Sequence, residues 1–351
     1  MYLKNYIIMH MTTTDITKKT VLFLFGGESQ EHEVSIISAQ NVYNALDLDR
    51  VEPILCYIDR EGHWLHTQSI IEHDSAKTPV TPLLGASAVK IGEQQVRIDC
   101  IFPVLHGTNG EDGTVQGLAQ LLHTPIVGCN VVASALCIDK VLTKQLLTLH
   151  NIPVTPSVVH YTGEKLPDFA ELQQKLGAVL FVKPARQGSS VGVSMARTSK
   201  EFAAAIKTAH HYDTEVLIET AVVGARELEI AVLGPNDQPR SSVVGEIVPD
   251  REFYSYESKY DSASTSQVVI PAKIDDDLAA LAQEHARRAF RALHCSGLAR
   301  VDFLLADDGS LYLNEINTMP GFTNISMYPQ LWAANNLSYP ELVATLINTA
   351  E

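Results

Sequence analysis

The stretch from Leu298 to Gly321, LARVDFLLADDGSLYLNEINTMPG, sets the tightest limit on how this chain can fold. Leu298 to Leu304 are strand-type residues, Asp307-Asp308-Gly309 supply turn chemistry, and Leu311 to Asn317 alternate again, which predicts a β-hairpin. With a period of two, Arg300 and Asp302 share one face of the first strand. Glu315 and Asn317 share one face of the second, together with Leu311 and Leu313. Folding about Asp308 and Gly309 sets Asp302 opposite Glu315 and Arg300 opposite Asn317. Facing side chains then have Cβ atoms about 5 Å apart, a placement in which like charges repel. Two carboxylates and a carboxamide crowded among leucines fit a hard divalent cation, and such oxygen ligands suit Mg²⁺, which commonly shares them with substrate phosphates. A solvated polar face on an edge hairpin is the alternative, and the flanking leucines argue against it.

At 351 residues the chain exceeds one compact core and predicts two or three domains. An apolar fraction of 46% with 19% charged residues describes an ordinary globular protein. A net charge of −15 argues against nucleic acid or an anionic membrane surface as partner, yet leaves room for a basic pocket around an anionic substrate. The five cysteines are scattered and form no CxxC pair, which suits a reducing, cytoplasmic setting and opposes a disulfide framework or zinc ribbon. No apolar run approaches the roughly 20 residues that span a bilayer. Residues 1–19 read as a tail, expected to be disordered, with Met9 and Met11 as alternative starts.

Along the chain, Thr20 to Phe25 is a continuous apolar run ending in Gly26-Gly27, after which a helical pattern opens. This strand, glycine turn and helix belong to an open α/β sheet, whose ligands sit beyond the carboxyl ends of the strands. Glu31 and Glu33 fall in the first helical turn, where the helix dipole favours acids, and capping alone accounts for Glu33. Val51 to Ile58 and Cys100 to Leu105 read as further strands. The latter runs into HGTNGEDGTVQG, His106 to Gly117, before a helix over Val115 to His123. Its glycines free backbone N–H groups for an anionic ligand, whereas no GxGxxG opens the first helix for a dinucleotide. A short strand is expected at Thr124 to Asn130, then a helix capped by Ser134 that contains Ile138-Asp139-Lys140. A break follows at Asn151-Ile152-Pro153.

In VLFVKPARQGSSVGVSMA, Val179 to Ala196, two β-type arms flank Gln187-Gly188-Ser189-Ser190. The tip can close over phosphates with Lys183 as a cationic partner, and no Walker loop exists. A helix from Thr198-Ser199 to about His211 follows, then a strand over Val216 to Glu219. Glu227 to Gly234 and Ser241 to Val248 read as an antiparallel pair. The polar and aromatic segment Phe253 to Ser266 is either a cleft-facing loop carrying Lys259-Tyr260 or a surface loop. Asp275 to Leu293 is an amphipathic helix with leading acids and closing arginines, and a last helix runs from Tyr339 to Thr349.

HGTNGEDGTVQG, KPARQGSSVGVS and GLARVDFLLADDGSLYLNEINTMPG, in this order, together resemble the D-alanine–D-alanine ligases of the ATP-grasp superfamily, a likeness covering about residues 20 to 349. The resemblance implies an N-terminal open α/β (pre-ATP-grasp) domain over 20–138, followed by a two-part α+β ATP-grasp fold over 139–223 and 224–351. It implies ATP, two Mg²⁺ ions with Mn²⁺ as a substitute, and two D-alanines joined through an acyl phosphate for peptidoglycan precursors. A cytoplasmic homodimer is expected. Matched motif by motif, Glu31 holds the first D-alanine's ammonium group with Ser189 and Tyr260, and Ser326 lies near the second carboxylate. Arg300 and the backbone N–H of Gly321 form the oxyanion hole, and Asp302, Glu315 and Asn317 bind metal. Lys140, Lys183 and Lys259 contact phosphates, with Ser190 and Phe253 also on the nucleotide and Glu219 and Glu227 near adenine and ribose. A related ligase using D-lactate or D-serine, or a silent nucleotide or amino-acid sensor, is the alternative.

Overall fold

The computed structural model describes residues 18–248 and 267–351. Three sheets organise them. The first holds seven strands in the order β6-β5-β4-β3-β2-β1-β7, formed by β1 (Lys19–Gly26), β2 (Val51–Ile58), β3 (Trp64–His66), β4 (Thr78–Leu83), β5 (Ala88–Ile91), β6 (Gln94–Arg97) and β7 (Cys100–Val104). β1 runs parallel to both neighbours, β2 and β7. Its apolar run is therefore covered on both faces. Val21, Phe23 and Phe25 enter one core with Ala39 and Val42 of α1 (His32–Asn44), while Leu22 and Leu24 enter another with Val115 and Ala119 of α2 (Thr114–Leu122). The two helices cover opposite faces, so a crevice opens where β1 meets β7, beyond the carboxyl ends that carry Gly26-Gly27 and His106-Gly107.

The expected strand at Thr124 to Asn130 is reduced to a single parallel bridge, Ile126 against Ile101. The next helix also differs from expectation. Asn130, not Ser134, caps α3 (Val131–Ile138) by accepting the Ala133 N–H at 2.9 Å, and Ser134 lies buried within it. Extended backbone at Asp139 then breaks the helix, and its carboxylate caps α4 (Lys140–Leu149) at the Val141 and Leu142 N–H groups, both 3.0 Å. A short polar side chain competes with helical hydrogen bonds and so divides one helical pattern into two.

The second sheet, order β10-β9-β11-β8, is antiparallel throughout: β8 (Ser157–Tyr161), β9 (Leu180–Pro184), β10 (Ser194–Ala196) and β11 (Glu215–Thr220). Leu180, Val182, Val216 and Ile218 face α5 (Phe169–Leu176) and α6 (Ser199–Tyr212), the latter started by a Thr198–Glu201 capping box. The alternate positions Lys183 and Glu219 therefore share the opposite face.

The third sheet, order β14-β13-β12-β15-β16, contains β12 (Arg226–Gly234), β13 (Arg240–Val248), β14 (Gln267–Val269), β15 (Gly297–Leu305) and β16 (Leu311–Asn317). One face packs on α7 (Asp276–Ala292) through Ala282, Ala286, Ala289 and Phe290. The other is apolar at one end, where Ala231, Leu233 and Leu298 lie with α8 (Met327–Ala334) and α9 (Tyr339–Asn348). It becomes charged at the other end.

The β15–β16 hairpin has the expected pairs, Asp302 with Glu315 and Arg300 with Asn317, but by a different route. Next to the turn the register is Leu305 with Leu311 and Phe303 with Leu313, centred on Asp308 rather than between Asp308 and Gly309. A β-bulge then inserts Asn314 and shifts the register by one. Leu311 and Leu313 consequently enter the α7 core with Phe303 and Leu305, whereas Glu315 and Asn317 turn to the opposite face. The expectation that these four residues share one face is corrected by this one inserted residue.

β15 begins at a close backbone crossing. Gly297 has φ +68°, and a Cβ there would meet the Gly128 carbonyl oxygen at 2.9 Å. We expect Gly297→Ala to combine left-handed strain with this clash and to lower stability by about 2 kcal/mol or more in urea denaturation; an unchanged midpoint would show that the crossing relaxes freely.

Candidate active site

Three groups of side chains converge from the three sheets. The first lies in the β1–β7 crevice. Ser35 donates to the Val104 carbonyl and accepts the Gly26 N–H at 2.8 Å, fixing the first glycine turn to β7. Ser29 Oγ donates to the His106 carbonyl at 2.7 Å. Glu31 stands at the N-cap of α1 without capping it, and its carboxylate lies against Gly107. Glu33 points away to Arg60, 2.8 Å. His106 is buried and spans to the C-terminal part, with Nδ1 3.0 Å from the Met319 carbonyl and Nε2 3.2 Å from Ser38 Oγ. Burial lowers its pKa, against the pull of Glu31, and Nδ1 bonding to a carbonyl fits a neutral ring. Glu111 accepts the Gly107 N–H at 3.2 Å, and burial with the nearby Glu31 charge pushes its pKa well up.

The second group lies on the inner face of the second sheet and at the start of α4. Glu219 is only 3% exposed. Burial disfavours its charge, but Lys183 and Lys144 outweigh that penalty and hold its pKa at about 2. Lys183 contacts Oε1, and Lys144 approaches Oε2 at 2.8 Å. Thr155 Oγ1 also donates to Oε2, at 3.0 Å. Lys140 reaches the Gln187 carbonyl at 2.5 Å, tying α4 to the glycine-serine loop. Burial lowers its pKa, while Glu315 and Glu219 raise it. In that loop Ser189 and Ser190 take left-handed conformations, φ +50° and +60°.

The third group is the charged end of the third sheet. Arg300 grips Asp302 bidentately, Nε to Oδ1 at 2.7 Å and Nη2 to Oδ2 at 2.6 Å, and Nε lies 3.0 Å from Glu229. Asn317 Nδ2 donates to Asp302 Oδ2 at 3.0 Å. Burial opposes the guanidinium charge, but Asp302, Glu229 and Glu315 raise its pKa well above the usual value. Gly321 sits beside Ser326, where a Cβ would come within 2.8 Å of the serine hydroxyl oxygen, so glycine permits this approach. Ser326 Oγ in turn accepts the Thr323 N–H at 2.9 Å.

The structure thus brings Arg300, Asp302 and Asn317 into one hydrogen-bonded group with Glu315 in its field, pairs Lys183 with Glu219, and sets Gly321 against Ser326. Phe253, Lys259 and Tyr260 lie outside the described residues. Sequence reasoning missed Glu229, Lys144 and the bridging part of His106. Glu229 was within reach, because alternation from Glu227 places it on the same face, opposite Asp302. Nothing in the spacing of Lys144 signals its carboxylate partner, 75 residues away.

Three carboxylates (Asp302, Glu229 and Glu315) share one guanidinium here, and the donors are hard oxygens, a set that fits a divalent cation. Across from them, Lys144 and Lys183 hold Glu219, with Lys140 in its field, an excess of positive charge that fits phosphates. An open α/β sheet followed by two antiparallel sheets with these facing charges defines an ATP-grasp ligase.

Comparison with known proteins agrees. The family model described as the D-ala D-ala ligase N-terminus matches residues 20–129, and that of the C-terminus matches 146–348. A D-alanine–D-alanine ligase of Shouchella clausii is 43% identical over 95% of each chain, and one of Sodalis glossinidius is 44% identical over 94% of each. The solved ligase of Coxiella burnetii superposes with a TM-score of 0.85 at 36% identity, covering 95% of this chain and 93% of that one. The VanG D-Ala:D-Ser ligase of Enterococcus faecalis gives 0.86 at 34% identity, covering 95% and 99%. The chain belongs to the D-alanine–D-alanine ligase family and is an ATP-dependent ligase. No described helix is long and apolar enough to cross a membrane.

Glu219→Gln should leave two buried ammonium groups without their acid and destabilise the protein by about 3–5 kcal/mol at pH 7. Because the carboxylate pKa is depressed, its contribution is complete above pH 4.5 and fades as pH falls towards about 2. The gap between wild type and variant in urea titrations should therefore narrow across that window; a constant gap would contradict the ion-pair assignment.

Proposed function

We propose that the chain joins two D-alanines to D-alanyl-D-alanine with ATP, and that its residues divide the work as follows. Glu31 orients the first D-alanine through its ammonium group, with Ser189 and Tyr260. The first D-alanine's carboxylate takes the γ-phosphoryl group, releasing ADP and forming an acyl phosphate. The amine of the second D-alanine, positioned near Ser326, attacks the acyl carbon. The oxyanion that develops is met by Arg300 and the Gly321 N–H, and phosphate leaves.

Lys140, Lys183, Ser190, Phe253 and Lys259 hold the nucleotide, with Glu219 and Glu227 towards adenine and ribose. Asp302, Glu315 and Asn317 would hold two Mg²⁺ ions, or Mn²⁺ in their place, which when bound offset the charge spread over the phosphate oxygens. The observation that carries this reading is the opposition of a buried lysine excess to a face where carboxylates outnumber the one arginine. Lys183 and Glu219, assigned to different parts of the nucleotide by resemblance, are direct partners here, so the Glu219 carboxylate also sets the charge at the phosphate end.

The division into 20–138, 139–223 and 224–351, a cytoplasmic location and a homodimeric state belong to the same proposal. The second substrate is taken as D-alanine, as in the curated relatives' names; the likeness to a D-Ala:D-Ser ligase makes D-serine the second reading. Phosphate release measured with D-alanine alone and with D-serine or D-lactate added, followed by product mass, separates them. Absence of D-alanine-dependent phosphate release would end the proposal.

Two variants test the roles. Arg300→Ala should cut turnover about 10²–10³-fold or more while ATP still binds, with circular dichroism confirming that the protein is folded. Turnover close to wild type would remove Arg300 from the oxyanion hole. Asp302→Asn should shift the Mg²⁺ dependence of turnover to higher concentration, and a superimposable metal titration would exclude it as a ligand.

A further inference from the structure

Lys144 is assigned no part by the family's motifs as matched above, yet it is among the most deeply buried charges in the molecule, 5% exposed. Its ammonium donates to the Thr155 carbonyl at 3.0 Å and to Thr155 Oγ1, and lies 2.8 Å from Glu219 Oε2. Glu219 thus has one oxygen on Lys183 and the other held by Lys144 and Thr155. A lysine whose only task were to solubilise a surface would not sit here, since burial lowers its pKa even with Glu219 alongside.

We propose that Lys144 is a positioning residue for nucleotide binding, which by engaging the second oxygen of Glu219 keeps Lys183 available as a cation for the phosphates of ATP. The inference rests on reading Lys183 as a phosphate contact. Without Lys144, one carboxylate and one ammonium form a closed neutral pair, and the field offered to an incoming polyanion is lost. With Lys144, two ammonium groups share one carboxylate, and the cluster keeps a net positive charge beside Lys140. Thr155 fixes the geometry. Its carbonyl and hydroxyl orient the ammonium, and its hydroxyl proton goes to Glu219, so the carboxylate cannot swing wholly towards Lys183. Lys144 touches Glu219 rather than the substrate, so its effect passes through another residue.

The test is the KM for ATP in the phosphate-release assay, with the Kd for ATP and Mg²⁺ by calorimetry. Lys144→Met should raise both about tenfold, the ratio associated with weakening one charge-assisted hydrogen bond, that of Lys183 to the phosphates, with little change in kcat or in the KM for D-alanine. Lys144→Arg should recover most of the affinity, and Thr155→Val should give a smaller rise in the same direction. A folded Lys144→Met with unchanged ATP affinity, or with the KM for D-alanine raised equally, would overturn the proposal and leave Lys144 structural. If Lys144→Met does not fold, Thr155→Val decides: unchanged ATP affinity there overturns the proposal as well. Lys183→Met separates the two levels. An ATP affinity insensitive to Lys183→Met removes the reading of Lys183 and this inference with it, whereas sensitivity to Lys183 alone removes only the inference.

Discussion

The clamp of Arg300 on Asp302 and Glu229 is the interaction on which the charged end of the third sheet depends. Without a cation between them, the carboxylates that β12, β15 and β16 set on one face repel one another across spacings of a few ångströms. The guanidinium suits this place because it presents several donors in a fixed plane and stays charged when buried. Its grip is bidentate on Asp302, so one residue of β15 neutralises its neighbour two positions along. Three carboxylates against one guanidinium leave the face short of positive charge, and that deficit fits a divalent cation there.

The second sheet presents the converse arrangement. Lys140, Lys144 and Lys183 outnumber Glu219, in a protein whose overall charge is −15. Local excess of one sign inside a molecule of the other sign shows how little net charge says about a buried site. The fields of the two groups overlap at Lys140, on which both Glu315 and Glu219 act. The N-terminal sheet joins them through His106, whose two ring nitrogens face Ser38 of α1 and Met319, two residues before Gly321.

Much of this was legible in the sequence because the relevant patterns are local. Strand-type runs located β9, β12 and β13, alternation located β15 and β16, and the apolar run of β1 pointed to an open α/β sheet. The facing of Asp302 and Glu315 was also legible, though the assumed two-residue turn and the unseen bulge compensate for one another. A sign of the bulge does exist: Leu311 and Leu313 share one parity, whereas Ile316, equally buried, has the other. The helix break at Asp139 was hidden because Asp is tolerated within a helical pattern and only tertiary packing selects its capping conformation. The pairing of Lys144 with Glu219 was beyond reach for another reason. A buried ion pair between distant elements leaves no periodic trace.

The single inserted residue Asn314 reverses the side-chain parity part-way along the second strand of the hairpin. On the turn side the odd-numbered Leu311 and Leu313 face the α7 core; beyond the bulge Ile316 takes that place, and the odd-numbered Glu315 and Asn317 face the charged side. The leucines near the turn therefore fill volume against α7, whereas Glu315 and Asn317 contribute charge and hydrogen bonding. The bulge acts as a phase boundary, so that one short strand delivers residues of the same parity first to the hydrophobic support and then to the polar face.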